Sequence, residues 1–220
     1  MELSVILFTG PEYQPEFPRR RMSMWQMGEK GKLLGIATRP AQRAPMNEVF
    51  TARITTGRGV DGDTRGKPGR RQVTVMTRSA WEAACAELGA DWLPWTTRRA
   101  NLLVDGIELQ GKIGYDLRVG DAVLTISGET RPCERMNQAH PGLMVALDPE
   151  WRGGVTCRVT RSGDIAVGYE AILSRNVIRQ LAWVTQHRAR RLLKRGRSVF
   201  AGVARRLGWK LRRVSANIAQ

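Results

Sequence analysis

Arg71-Gln72-Val73-Thr74-Val75-Met76-Thr77 runs directly into Arg78-Ser79-Ala80-Trp81-Glu82-Ala83-Ala84-Cys85-Ala86-Glu87-Leu88-Gly89, and the change of period between the two halves decides the fold. The first half alternates polar and apolar residues over Gln72-Val73-Thr74-Val75 and is rich in β-branched ones, the pattern of a strand. The second half places Trp81, Ala84, Cys85 and Leu88 at i, i+3, i+4 and i+7, which predicts one apolar stripe on a helix. Ser79 with Glu82 is expected to form the capping box, each side chain satisfying a backbone N–H that the first turn leaves unpaired. Gly89 is the expected stop. A cysteine on that stripe reads as a small buried hydrophobe rather than a reactive thiol.

Outward from this stretch the texture is that of strands. Short apolar runs separated by Gly, Pro and Asp predict strands at Lys32–Thr38, Val49–Thr55, Arg71–Thr77, Asn101–Val104, Ala122–Ser127, Gly154–Thr160 and Ile165–Val167. Cys157 alternates inside one of them and receives the same buried reading as Cys85. The fold class is therefore mainly β with a few helices. The 220 residues are 42% hydrophobic, enough to build a real core, and their number suits one domain better than two.

The charge of the chain is split. Lys and Arg number 36 against 20 Asp and Glu, a formal net of +16. Residues 174–220 hold thirteen basic residues and no acidic one, which leaves 23 basic and 20 acidic residues, about +3, for residues 1–173. A nearly neutral body with a basic tail is not a nucleic-acid-coating particle. Residues 1–30 are expected to be a disordered leader, with Pro11, Pro15, Pro18 and Arg19-Arg20-Arg21 before any domain-like pattern; translation starting at Met22, Met24 or Met27 is the other reading. Its short apolar stretch carries an acidic residue where a signal peptide wants basic ones. No run of about 18 apolar residues exists. Three scattered cysteines make no disulfide framework. A cytoplasmic setting is the default expectation.

Chemistry has few places to reside. The two histidines, His140 and His187, form no metal-ligand spacing, and G-x-S-x-G is absent. The stretch from Thr56 to Arg70 has five glycines in fifteen residues. It reads equally as a mobile surface loop or as a glycine-lined wall over an anion, with its Arg and Lys as counter-charges. It matches neither a P-loop nor a dinucleotide fingerprint.

Cys133 stands in Ser127-Gly128-Glu129-Thr130-Arg131-Pro132-Cys133-Glu134-Arg135-Met136. The expected arrangement is a strand ending at Ser127, a turn at Gly128, an extended approach at Pro132 and a helix or tight turn opening at Cys133. That junction, flanked by Arg131 and Arg135, favours a thiolate; a cysteine merely capping a turn is the alternative, and spacing leaves the two even. Arg98-Arg99-Ala100-Asn101 enters an apolar strand. Arg and Asn together suit phosphate and amide-like heterocycle edges, although an ordinary charged strand end explains them as well.

Taken in order, these runs resemble the MOSC domain, the C-terminal domain of molybdenum-cofactor sulfurase. The resemblance rests on Gly62-Asp63, Arg71-Gln72-Val73-Thr74, Arg99-Ala100-Asn101-Leu102-Leu103, Gly120-Asp121-Ala122-Val123-Leu124 and Gly128-Glu129-Thr130-Arg131-Pro132-Cys133, and covers residues 31–173. Pro132-Cys133-Glu134-Arg135-Met136 and Trp151-Arg152-Gly153-Gly154-Val155 resemble the small stand-alone bacterial members. It departs from the family's pattern at Gly168-Tyr169, where Gly-Asp is usual, and at Thr64, where some members place histidine.

The resemblance implies a β-barrel that binds the pterin molybdenum cofactor, with Cys133 as the molybdenum ligand and catalytic residue. Arg99 and Asn101 would contact the cofactor, while Arg71, Arg98, Arg99 and Arg131 would neutralise its phosphate. It implies a molybdenum-dependent oxidoreductase reducing N-hydroxylated substrates, of the hydroxylaminopurine or amidoxime type, with electrons from a separate reductase or iron–sulfur protein. The alternative is a carrier that holds a persulfide or the cofactor at Cys133 without turnover. Neither pyridoxal phosphate nor an iron–sulfur cluster is expected in this chain.

The tail, residues 174–220, is expected to be helical, with Ser174 as a cap and Val177, Ile178, Leu181 and Val184 as an apolar stripe. A second segment sets Val199, Phe200, Val203, Leu207 and Leu211 against Arg205, Arg206, Lys210, Arg212 and Arg213. Such a basic amphipathic helix with Trp209 suits an anionic surface, here the inner membrane. An acidic redox partner ranks second. Nucleic acid ranks third, because no aromatic stacking platform accompanies the charge.

Overall fold

The computed structural model describes residues 28–176. The expected leader, save its last three residues, and the tail beyond Asn176 lie outside the described residues. Eleven strands and three α-helices follow one another: β1 (Glu29–Thr38), β2 (Asn47–Val49), β3 (Thr51–Thr55), β4 (Gly59–Val60), β5 (Val73–Thr77), α1 (Arg78–Ala86), β6 (Leu102–Asp105), β7 (Asp116–Val119), β8 (Ala122–Glu129), α2 (Arg135–Ala139), α3 (Leu143–Ala146), β9 (Val155–Arg161), β10 (Gly163–Ala166) and β11 (Glu170–Ser174). Short 3₁₀ turns occupy Trp95–Arg98 and Pro149–Trp151.

Seven strands close a barrel in the order β11-β7-β8-β9-β5-β6-β1, with β1 returning to pair with β11, and β2 extends it at β1. Glu29 opposite Leu173 and Lys32 opposite Glu170 define the closing register. Closure removes the exposed edges that would otherwise template pairing with another chain. All barrel pairings are antiparallel except β5–β6. That parallel pair needs a crossover, and α1 together with the Trp95–Arg98 turn supplies it. A second sheet, β10-β3-β4, stands beside the barrel.

The core has two parts. Leu33, Ile36, Val75, Leu102, Leu117, Leu124, Ile126, Val155 and Cys157 fill one cluster with their barrel neighbours. Met76, Trp81, Ala84, Cys85, Leu93, Met136, Leu143 and Leu147 form another, which packs the helices on the barrel. The stripe read from α1 is the buried one, and Gly89 (φ +59°) ends the segment.

Four expectations at element boundaries need correction. The cap of α1 is Thr77, whose Oγ1 accepts from the Ala80 N–H at 3.3 Å; Ser79 lies one turn position too late and instead donates its hydroxyl to Thr77. Strand β8 does not end at Ser127 but runs to Glu129, with Gly128 inside a register shift that lets the chain bend without leaving the sheet. Val49–Thr55 is not one strand: Phe50 separates β2, on the barrel, from β3, on the small sheet. Ser174 is the buried last residue of β11, opposite Asp116, rather than the start of a helix.

Candidate functional site

The glycine-rich stretch is a folded wall. A three-residue turn joins β3 to β4, with the Arg58 N–H donating to Thr55 Oγ1 at 3.0 Å. Gly66 then presses on this turn so closely that a Cβ would overlap the Arg58 carbonyl. Gln72, 4% exposed, ties the wall to the barrel. Its amide nitrogen donates to the Thr56 carbonyl at 2.8 Å, and its Oε1 accepts from the Val159 N–H at 3.0 Å.

Asp63 is the second tie. Its carboxylate accepts from Arg39 at 3.1 Å, from the Arg65 N–H at 2.6 Å and from Asn101 Nδ2 at 2.7 Å. The Arg39–Asp63 ion pair is almost fully buried. Asn101 uses its whole amide group: Nδ2 also donates to the Ala37 carbonyl at 3.2 Å, and Oδ1 accepts from the Thr74 N–H at 3.1 Å. One side chain thus joins β1, β5 and the glycine-rich wall at the start of β6.

Opposite this wall the chain leaves β8. The Thr130 N–H donates to the Gly154 carbonyl at 2.8 Å, and Arg98 donates to the Thr130 carbonyl at 2.9 Å. Gly153 packs against both, and a Cβ there would overlap the Thr130 oxygen. Pro132 and exposed Cys133 follow, and the Met136 N–H donates to the Cys133 carbonyl at 2.8 Å as α2 begins.

Between the two walls lies a cleft of about 660 Å³ that contains Cys133. Its lining includes Arg39, Arg43, Arg65, Lys67, Arg71, Arg98, Arg99 and Arg135, and no Asp or Glu. Among the described residues only Arg39 of these eight is ion-paired. Arg98 is 6% exposed, and burial pulls its guanidinium down to about 10; the charge of Cys133 opposes that shift and Arg71 adds to it. Arg99 is also lowered, first by burial and then by Arg39, Arg135 and Arg65, with Asp63 in opposition. Such a cleft favours an anion, which would relieve the mutual repulsion of its cations. Buried Arg98 Nε and Thr130 Oγ1 have no hydrogen-bond partner among the described residues.

Of the residues singled out in the sequence, Cys133, Arg71, Arg98, Arg99 and Asn101 meet in this cleft. Arg131 does not line it; its exposed guanidinium reaches Glu129 at 3.5 Å. Arg39, Arg43 and Arg135 also line the cleft; Arg39 and Arg43 precede every motif and lie far from Cys133 in sequence, so no local pattern marks them, whereas Arg135 is legible only as a neighbour of Cys133. Asp63 acts from beneath the surface, where its signal was only a Gly-Asp pair. Among the described residues no group of three or more His, Cys, Asp or Glu is arranged to hold a metal ion, and no helix is long and apolar enough to cross a membrane.

Fold and site together define a closed, mixed β-barrel protein that presents one accessible thiol in a cationic cleft. The MOSC domain model matches residues 53–171, and the chain belongs to the MOSC domain family. Solved structures share the fold. The YuaD protein from Bacillus subtilis is 20% identical with a TM-score of 0.56, covering 67% of this chain and 97% of its own. YiiM from Escherichia coli is 17% identical with a TM-score of 0.53, covering 66% and 71%. YiiM from Geobacillus stearothermophilus is 15% identical with a TM-score of 0.54, covering 66% and 75%. Among curated proteins no significant match is found.

Proposed function

We propose that this MOSC protein binds the pterin molybdenum cofactor in the cationic cleft and reduces N-hydroxylated compounds with electrons from a separate reductase or iron–sulfur protein. The observation that carries the reading is the meeting, in a single cleft, of one exposed thiol with seven cations that have no ion-pair partner among the described residues. The donor set fits the group. A soft thiolate suits molybdenum already held by dithiolene sulfurs, so the protein needs to contribute only one sulfur. Guanidiniums without a carboxylate partner among the described residues suit a phosphate dianion, which Arg binds through paired N–H donors.

The roles divide by position. Cys133 would ligate molybdenum, and Arg71, Arg98 and Arg99 would hold the phosphate. Asn101, Asp63 and Gln72 would keep the glycine-rich wall in place, since their polar atoms are spent on the protein itself. The bound cofactor would supply two-electron reduction of the N–O bond. The overall balance is an N–OH group, two electrons and two protons giving N–H and water. The protein excludes competing chemistry by presenting one thiol, because Cys85 and Cys157 are buried.

Metal analysis of protein made in a cofactor-competent host tests this reading. One molybdenum per chain, lost in Cys133→Ala, together with 6-hydroxylaminopurine reduction, is the expected result. Labile sulfur on Cys133 without molybdenum would replace it with the carrier reading.

A further inference from the structure

A second cavity, of about 720 Å³, adjoins the first and shares Arg43, Arg99, Arg135 and Met136 with it. Each cavity has the size of a site for one small molecule. Three of the four shared residues are arginines, and none is ion-paired among the described residues. The two linings together contain eight cations and no carboxylate, more positive charge than one cofactor phosphate neutralises. A molecule in the second cavity therefore meets Arg43 and Arg135, which a cofactor phosphate held by Arg71, Arg98 and Arg99 leaves unsatisfied.

The remainder of this lining is neutral. Thr96, Thr97 and Gln138 offer hydroxyl and amide groups, while Pro45, Met46 and Ala139 offer apolar surface. That combination suits a flat heterocycle with polar edges carried on a phosphate. Arg99 donates one N–H to the Ala44 carbonyl at 2.8 Å, which fixes its side chain while sparing its other donors. Both Arg43 (φ +70°) and Arg99 (φ +64°) hold a left-handed backbone, a conformation that non-glycine residues adopt at a cost and that concentrates at functional sites.

We infer that the second cavity is the substrate subsite and that it selects a nucleoside monophosphate, so that the protein acts on N-hydroxylated nucleotides in preference to free bases. The inference rests on the cofactor reading above; the redox balance is unchanged, and the second cavity adds only recognition of the substrate phosphate.

Calorimetric titration of the full chain, cofactor-loaded and cofactor-free, with AMP and with adenosine tests it. Loaded protein is expected to bind AMP at least tenfold more tightly than adenosine. Gln138→Glu, which adds a carboxylate to the exposed wall of the second cavity only, is expected to weaken AMP at least fivefold with molybdenum content and melting temperature unchanged. Equal binding of AMP and adenosine overturns the inference. So does AMP binding that vanishes on cofactor loading, since AMP would then occupy the cofactor's own site. If the protein takes up no molybdenum, the cofactor reading fails by itself. In that case the sensitivity of AMP binding to Gln138→Glu in the cofactor-free protein still sustains the subsite, and insensitivity removes it.

Discussion

Asn101 Nδ2 donates to Asp63 Oδ2 at 2.7 Å across 38 positions of sequence, and this bond sets the glycine-rich wall against the barrel. Asp63 is shared with Arg39, whose side chain is nearly as buried as its own. The triad explains why a chain segment so rich in glycine holds one conformation: its flexible backbone is pinned at Asp63 and again at Gln72.

Removing the carboxylate leaves the Arg39 cation buried and unpaired. Asp63→Ala is expected to cost about 3 kcal/mol of stability, read as a shift of the urea midpoint with unchanged slope. Asp63→Asn keeps an acceptor for the Arg65 N–H but leaves Arg39 without a counter-charge and one side-chain atom as a donor facing Asn101 Nδ2, so it is expected to cost nearly as much.

The three cysteines differ in access and therefore in reactivity. Burial, with Asp91 and Glu82, raises the Cys85 thiol, and burial followed by Asp116 raises Cys157. Both stay protonated and inaccessible at neutral pH, whereas Cys133 is exposed. A thiol reagent is expected to titrate one cysteine in the native protein and three after unfolding. Cys133→Ala should abolish the native count while changing stability by less than about 0.5 kcal/mol.

Arg98 predicts a pH dependence. Burial holds its folded value at about 10, below the ordinary guanidinium range of the unfolded chain, so above about pH 10 the folded state holds fewer protons than the unfolded state. Its contribution to stability therefore rises with pH in that range. Anion binding moves oppositely, because the same deprotonation removes a cation from the cleft. Phosphate affinity of cofactor-free protein is expected to fall from pH 8 to pH 10.5. Arg98→Met is expected to bind phosphate more weakly at pH 8 and to lose part of that decline.

Gly153 couples backbone packing to the cleft. Gly153→Ala would drive a methyl into the Thr130 carbonyl and toward Arg98, at 3.1 Å from its terminal nitrogen. The expected outcome is at least a tenfold loss of phosphate affinity, together with a lower melting temperature. Gly57→Ala meets nothing within 4 Å and is expected to match the wild type in both measurements.

Local pattern alone specified much of this protein. The 3.6-residue stripe of α1 and the β-branched runs of β5 and β9 are properties of neighbouring residues, so they could be read without knowing the fold. Cys133 was legible because Pro132 and the flanking arginines mark a junction within a few positions. Strands β7 and β11 were not legible. Asp116–Val119 is only four residues long, and Glu170–Ser174 leads into a basic stretch that looks like the start of a helix. Their strand character comes from pairing with each other and with β8 and β1, a long-range event with no local signature. The cap on α1 shifted to Thr77 because the strand delivers that hydroxyl, not Ser79, to the first free N–H.

By itself, then, the amino-acid sequence determined the mainly β character, the burial of Cys85 and Cys157, and the motif around Cys133. Only the tertiary structure decided which of many arginines belong to the site. Arg39 and Arg43 enter it from the β1–β2 connection, while Arg131 turns away to Glu129 despite its place two residues before Cys133. The physical reason is that charge acts through space: a cationic cleft is made wherever barrel closure brings guanidiniums together without carboxylates, and adjacency along the chain does not determine that.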